Sequence, residues 1–178
     1  MRKIVLTFGL IAGAVLSAMM LLTLPFQDTI GFDNGAIIGY TTMVLAFLMV
    51  FFGVKSYRDT VGSGRVTFGR ALSVGLLITA IASVCYVTTW ELIYYKFAPN
   101  FGDKYATYAI EKAKKSGATD AQIAAQTKQM TEFKEMYKNP LVNIAYTILE
   151  PLPVGILFAL VTATVLSRKR REERALST

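Results

Sequence analysis

Long apolar blocks alternate with polar connections along the chain. Four blocks carry almost no charge: residues 4–24, 36–54, 71–95 and 141–166. At about 1.5 Å of rise per helical residue, each is long enough to cross the roughly 30 Å hydrocarbon layer of a bilayer. The pattern therefore predicts an all-α membrane protein with four transmembrane helices, built as a single membrane domain over residues 1–178.

The connection between the third and fourth blocks, residues 97–139, is polar and rich in Lys, Gln, Ala and Glu. Ser116-Gly117 divides it, and Thr119 and Gln122 have the spacing of a capping box at the start of a second helix. An apolar stripe at helical spacing follows, formed by Ile123, Met130, Phe133 and Tyr137. We predict an amphipathic helical insert. The pattern leaves open whether its helices rest on the membrane surface, rest on each other or form a solvated linker.

Composition narrows the range of functions. The 178 residues are 53% apolar and 17% charged, whereas a soluble domain is about a quarter charged. Histidine is absent, which removes the commonest general base and metal ligand, and the lone Cys85 has no cysteine to pair with. We therefore predict no enzymatic activity, no cofactor and no metal site.

The net charge of +7 indicates topology and not nucleic-acid binding, because the basic residues flank the apolar blocks. With both termini in the cytoplasm, every arginine lies on the inner side, and the insert lies outside with lysines diluted by acids. This orientation places the basic tail, residues 167–178, inside. The arginines are Arg2, Arg58, Arg65, Arg70, Arg168, Arg170, Arg171 and Arg174.

Two carboxylates interrupt the apolar blocks. Glu91 lies about one turn from the outer end of the third block, where it can reach headgroups or Lys96. Glu150 lies deep in the fourth block, where we expect it to be buried. An acid at that depth is a candidate for holding a proton or a cation, or for a structural hydrogen bond across the helices.

Two prolines follow this deep acid. Pro151 and Pro153 lack the N–H group of other residues, so we expect the carbonyls of Thr147 and Leu149 to lose their helical partners. Unpaired carbonyls are costly in hydrocarbon and should face protein or water. Glu150, Pro151 and Pro153 are therefore candidate functional residues, together with Glu91.

The connection between the second and third blocks holds Arg58, Asp59 and a tight turn at Gly62-Ser63-Gly64. Arg58 and Asp59 are candidate residues for binding anionic lipid headgroups. The alternative is a charged turn in which an Arg–Asp contact fixes topology.

Small residues recur at four-residue spacing and predict close helix contacts within the chain or between copies of it. At the end of the third block, Trp90, Tyr94 and Tyr95 fit an interfacial aromatic belt. The small-residue rows are Gly9, Gly13 and Ser17; Ala71, Gly75, Thr79 and Ser83; and Gly155, Ala159 and Ala163.

The order of short polar landmarks resembles the bacterial membrane proteins grouped as domain of unknown function 4199. The resemblance covers nearly the whole chain. It implies a four-helix protein of the bacterial inner membrane, supports Arg58, Asp59 and Glu150 as candidates, and implies no activity. The landmarks are Tyr57-Arg58-Asp59, the glycine turn to Phe68, Arg70-Ala71, Gly75, the Lys-rich insert after Tyr94-Tyr95, the run Glu150-Pro151-Leu152-Pro153-Val154-Gly155-Ile156-Leu157, and Arg168-Lys169.

Three functions are compatible with these features. The first is a non-enzymatic accessory or scaffold protein that contacts a membrane or periplasmic protein through the exterior insert. The second is a proton- or cation-coupled carrier, or a channel-like oligomer, that uses Glu150. A lipid-modifying enzyme ranks last, since no nucleophile with an adjacent base is visible. The lipid bilayer is the expected partner, a homo-oligomer is compatible with the small-residue rows, and nucleic acid is not expected.

Overall fold

The computed structural model describes the backbone of residues 1–175 and the side chains of residues 1–167. Within that range the chain forms helices and no strand. The predicted basic tail from Arg168 onward has its side chains outside the described residues. The helices are α1 (Arg2–Thr23), a 3-10 turn (Leu24–Phe26), α2 (Gln27–Thr60), α3 (Phe68–Lys96), α4 (Phe101–Lys115), α5 (Asp120–Tyr137), α6 (Pro140–Ile148) and α7 (Pro151–Ala175).

Three helical stretches are long and apolar enough to cross a membrane: Arg2–Thr60, Phe68–Lys96 and Pro140–Ser167. The first combines α1, the 3-10 turn and α2, and it folds back on itself. A methyl group added at Gly53, near the end of α2, would lie 3.1 Å from Cβ of Phe8, near the start of α1. The two helices are therefore antiparallel.

The helix α3 is the centre of the packing and contacts α1, α2, α6 and α7. The predicted small-residue rows lie in these contacts: Gly9 and Gly13 of α1 meet α3, and Gly75 of α3 meets Ala159 of α7. Their missing or short side chains let the backbones approach closely. Around them lies a fully buried apolar core, formed by Phe47, Val50, Val54, Val74 and Ile78.

The insert folds as the pattern indicates. It forms two helices, α4 and α5, which pack on each other. Thr119 and Gln122 form the predicted capping box. The Gly62–Gly64 turn is also confirmed, with positive φ angles at Ser63 and Gly64.

Three local expectations are wrong. The stretch between the first two apolar blocks, expected from the pattern to be a polar connection, is mostly helical, because α2 begins at Gln27 and bends at Gly31, whose φ of 73° suits a residue without a Cβ. The fourth apolar block is two helices and not one, since α6 ends at Ile148 and α7 starts at Pro151. Trp90 and Tyr94 lie partly or fully buried and contact the insert, so of the expected aromatic belt only Tyr95 is exposed.

Candidate functional site

A cavity of about 730 Å³ lies between the insert and the ends of the apolar helices. The end of α1, the first turns of α2, the last turns of α3, both insert helices and α6 all contribute to its wall. Its volume falls in the range of sites for small organic molecules, roughly 300–1,000 Å³. The cavity is therefore the principal candidate site of the chain.

Aromatic side chains form much of this wall. The insert contributes Phe101, Tyr105, Tyr108, Phe133 and Tyr137, and the apolar helices contribute Phe32, Tyr86, Trp90 and Tyr146. Rings from the two parts touch. The ring centroids of Phe32 and Tyr108 are 4.9 Å apart, those of Trp90 and Phe101 are 4.7 Å apart, and those of Phe133 and Tyr146 are 5.4 Å apart. These contacts hold the insert over the cavity with the apolar stripe of α5 facing inward.

Glu150 lines the cavity at the junction of α6 and α7. Glu150 is exposed as a whole residue, and part of that surface lines the cavity, but its hydrogen-bonded carboxylate is partly buried, so the expectation of a buried carboxylate holds only in part. The hydroxyl of Tyr86 donates a hydrogen bond to Oε2 of Glu150 over 2.6 Å. One carboxylate oxygen is thus fixed in place while the side chain stays accessible from the cavity.

The helix junction places this carboxylate. The N–H of Leu149 bonds the Tyr146 carbonyl, and the N–H of Glu150 bonds the Thr147 carbonyl over 3.3 Å, as in a tightened last turn. The carbonyl of Thr147 therefore keeps a partner, contrary to the sequence-based expectation. Pro151 then begins α7, a position where a missing N–H costs nothing.

A polar cluster adjoins Glu150, and the sequence analysis missed it. The indole N–H of Trp90 lies 3.0 Å from the Tyr137 hydroxyl and 3.1 Å from Oδ1 of Asn143. The Thr147 hydroxyl also donates to Oδ1 of Asn143. Asn143 is fully buried, and a buried amide needs hydrogen-bond partners. A single asparagine inside an apolar block was therefore the sequence signal that could have revealed this cluster. Burial raises the pKa of the Tyr137 phenol, which keeps that hydroxyl protonated.

Ion pairs at the rim tie the insert to the start of α2. Lys104 contacts Asp28 over 2.6 Å, and Lys112 contacts Asp33 over 2.5 Å. The Tyr108 hydroxyl also donates to Asp33. The hydrogen bond to Asp33 raises the pKa of Lys112 above its ordinary range, so the lysine stays charged.

A further ion pair joins the two insert helices. Nζ of Lys134 lies 2.7 Å from Oδ1 of Asp103. The hydrogen bond from Lys134 lowers the pKa of the Asp103 carboxyl, so this pair also persists at neutral pH.

The other candidate residues lie away from the cavity. Glu91 lines a separate pocket of about 420 Å³ with Lys96, and within the described residues its Oε1 atom is buried without a hydrogen bond. Nε of Arg58 lies 2.7 Å from Oδ1 of Asp59 at the far end of α2, as the topology-fixing interpretation expects. Pro153 is exposed in the first turn of α7.

A family model described as "Protein of unknown function (DUF4199)" matches residues 7–168, which is nearly the whole chain. No curated protein and no solved structure matches the sequence. The geometry of the cavity is therefore the basis for any functional conclusion.

Proposed function

The chain belongs to the DUF4199 family of proteins of unknown function, and on that premise we propose that it is a non-enzymatic, multi-pass membrane protein that binds a small molecule in the cavity beneath its insert. The observation that carries the proposal is the accessible carboxylate of Glu150 in that cavity, held by Tyr86. An ionisable group within a membrane segment is costly to maintain and marks a functional site by default.

The proposal includes four crossings, with both termini in the cytoplasm of a bacterial inner membrane. The fold-back of Arg2–Thr60 supports counting that stretch twice, because antiparallel halves of this length each match the bilayer. A unique cysteine at the exposed Ser116, in a Cys85→Ser background, tests the orientation. We expect a membrane-impermeant maleimide to label intact cells, and labelling that requires permeabilisation would reverse the assignment.

Packing favours the cavity over the insert as the functional element. The apolar stripe of α5 contacts the chain's own aromatic residues, as in the pair Phe133–Tyr146, and Tyr137 is 8% exposed. Because the apolar face of α5 is already covered by the chain itself, mainly its polar face is available to a partner protein. The carrier interpretation fits the same cavity, if the bound molecule is released on the opposite side of the membrane.

The experiment fills the cavity and measures what the protein retains. Gly39 lines the cavity, and a Cβ added there has no other atom within 4 Å. Because the cavity adjoins this position, we expect the ring of Gly39→Phe to occupy part of it. Gly69→Phe is the matched control, because Gly69 also meets open space but lies in the first turn of α3, away from the cavity.

Native mass spectrometry of the purified full chain supplies the readout. We expect small molecules to be retained by the wild type and by Gly69→Phe, and retention to fall severalfold in Gly39→Phe. Equal retention in all three proteins, or none in the wild type after mild extraction, would contradict a ligand-binding cavity.

The accessory role is the second candidate. The outward surface of the insert supports it, because Lys114, Lys115 and Lys128 are exposed there and suit an acidic partner. Charge reversal at Lys114 and Lys115 leaves the inward aromatic face intact. A photoreactive amino acid in place of Ser116 should form cross-links to the partner in cells. If this role is correct, the double variant should lose these cross-links, whereas Gly39→Phe should keep them.

A further inference from the structure

We propose that the ligand of this cavity is a bulky organic monocation, such as a quaternary or protonated amine, whose charge pairs with Glu150 and whose body packs on the aromatic wall. The inference rests on the proposed function and adds the chemical class of the ligand. It depends on the charges, the side-chain chemistry and the size of the cavity.

The charge balance of the wall favours a cation. Of the described residues that line the cavity, Asp33 and Glu150 are the charged ones, and no lysine or arginine is among them. Asp33 is paired with Lys112 at the rim. Glu150 contacts a neutral phenol, and none of the described residues that line the cavity is a cation that could pair with its carboxylate.

The wall also has the chemistry that organic cations select. Ammonium groups are attracted to the faces of tryptophan, tyrosine and phenylalanine, and aromatic cages are a recurring recognition device for quaternary ammonium ligands. The wall includes Trp90, Tyr86, Tyr137 and Tyr146, and Tyr86 contacts Glu150 directly. An anionic ligand would meet the negative faces of these rings as well as the carboxylate.

An inorganic cation fits less well. Calcium takes six to eight oxygen ligands, and magnesium requires a near-octahedral set. Within the residues described, no group of three acidic or cysteine side chains comes together. A cavity of about 730 Å³ whose lining carboxylates are Glu150 and the Lys112-paired Asp33 is far larger than a metal ion needs and is suited to a molecule with an apolar body.

The chain contains one tryptophan, and it lies in the cavity wall. Fluorescence of Trp90 therefore reports on the cavity directly. The full chain is placed in phosphatidylcholine nanodiscs and titrated with tetraphenylphosphonium and, separately, with tetraphenylborate. These probes have the same shape and opposite charge, and titration of empty nanodiscs corrects for partitioning into lipid.

We expect saturable quenching by tetraphenylphosphonium, with an affinity at least about tenfold above that for tetraphenylborate. Glu150→Gln keeps the shape of the side chain and should remove most of that preference. Glu91→Gln is the matched control, because Glu91 lines the other pocket, and it should leave the preference unchanged. The comparison of the two probes on the wild-type protein needs no substitution, so it tests the proposal even if the Glu150 variant fails to fold.

Equal or stronger binding of tetraphenylborate would overturn the cationic assignment while leaving a ligand-binding cavity, provided that Gly39→Phe abolishes that binding. An unchanged preference in folded Glu150→Gln would also overturn it. If neither probe binds, the cationic assignment fails, and retention in the Gly39→Phe experiment then decides the proposed function separately.

Discussion

Replacing Gly13 with alanine tests the parallel contact between α1 and α3. A methyl group at Gly13 would lie 2.6 Å from Cβ and 2.7 Å from Sγ of Cys85. Carbon atoms in contact are separated by about 3.5–4.0 Å, so the new methyl overlaps Cβ by about 1 Å. Rotation about χ1 moves Sγ but not Cβ, because Cβ is bonded to the backbone. The two helices must therefore separate.

The expected cost follows from overpacking. Adding a methyl to a packed contact typically costs about 1–3 kcal/mol, against a gain of up to about 1 kcal/mol for alanine over glycine in a helix. The matched control is Gly39→Ala, since a methyl there meets open space in the middle of α2. Gly39→Ala should be neutral or stabilising, and Gly13→Ala should be less stable than this control by at least about 1 kcal/mol.

The second half of the test is a compensating change. Cys85→Gly removes both atoms that the added methyl would meet, and the next neighbour, Cα of Ala82, is at an ordinary 3.5 Å. The double variant Gly13→Ala/Cys85→Gly should therefore show a favourable coupling of at least about 1 kcal/mol relative to the two single variants.

Reversible unfolding in mixed micelles with increasing dodecyl sulfate, followed by Trp90 fluorescence, gives the free energies of unfolding of the wild type, the three single variants and the double variant. Additive effects of the two substitutions would refute the reasoning, and so would a Gly13→Ala protein as stable as the Gly39→Ala control. Either result would mean that α1 does not lie against α3 in this register.

Three further predictions concern the insert and the turn. Thr119→Ala removes the capping box of α5 and should cost about 1 kcal/mol of helix stability, measured as faster amide exchange there. Lys112 binds Asp33 in its charged form, so its raised pKa stabilises the rim fully below the ordinary lysine value near 10.4 and loses that stabilisation as pH rises through the folded value. Amide exchange in α4 of the wild type should therefore accelerate in alkaline solution by more than the ordinary base-catalysed increase. Lys112→Met should show only the ordinary increase. Gly62→Ala places a methyl against two backbone carbonyl oxygens and should open the turn to protease, whereas Gly69→Ala meets open space and should not.

Local sequence signals predicted what depends on local structure. The insert helices follow from the Ser116-Gly117 break and the Thr119 cap, and the turn follows from Gly62 and Gly64, because each feature is set by residues within a few positions. The close helix contacts follow from small residues, since lipid does not drive helices together and packing depends on how near the backbones can come.

The cavity was not predictable in the same way, because its wall joins segments that are distant in the sequence. Trp90 bonds Tyr137 and Asn143, and Tyr108 bonds Asp33. The apolar stripe of α5 fits a membrane surface, a helix partner or a cavity wall equally well by its spacing alone. Only the folded position of the insert distinguishes these three environments.

The break between α6 and α7 accounts for the different surroundings of the two carboxylates in the apolar blocks. Glu91 lies within the continuous helix α3, and its buried Oε1 atom has no partner among the described residues. Glu150 occupies the junction of two helices, where its backbone N–H bonds Thr147 and its side chain meets Tyr86 at the cavity. A proline at position 151 enforces that junction, because it cannot donate the hydrogen bond that would continue α6. Pro151 therefore needs no chemistry of its own to matter for binding, since it fixes the junction from which Glu150 reaches the aromatic-walled cavity.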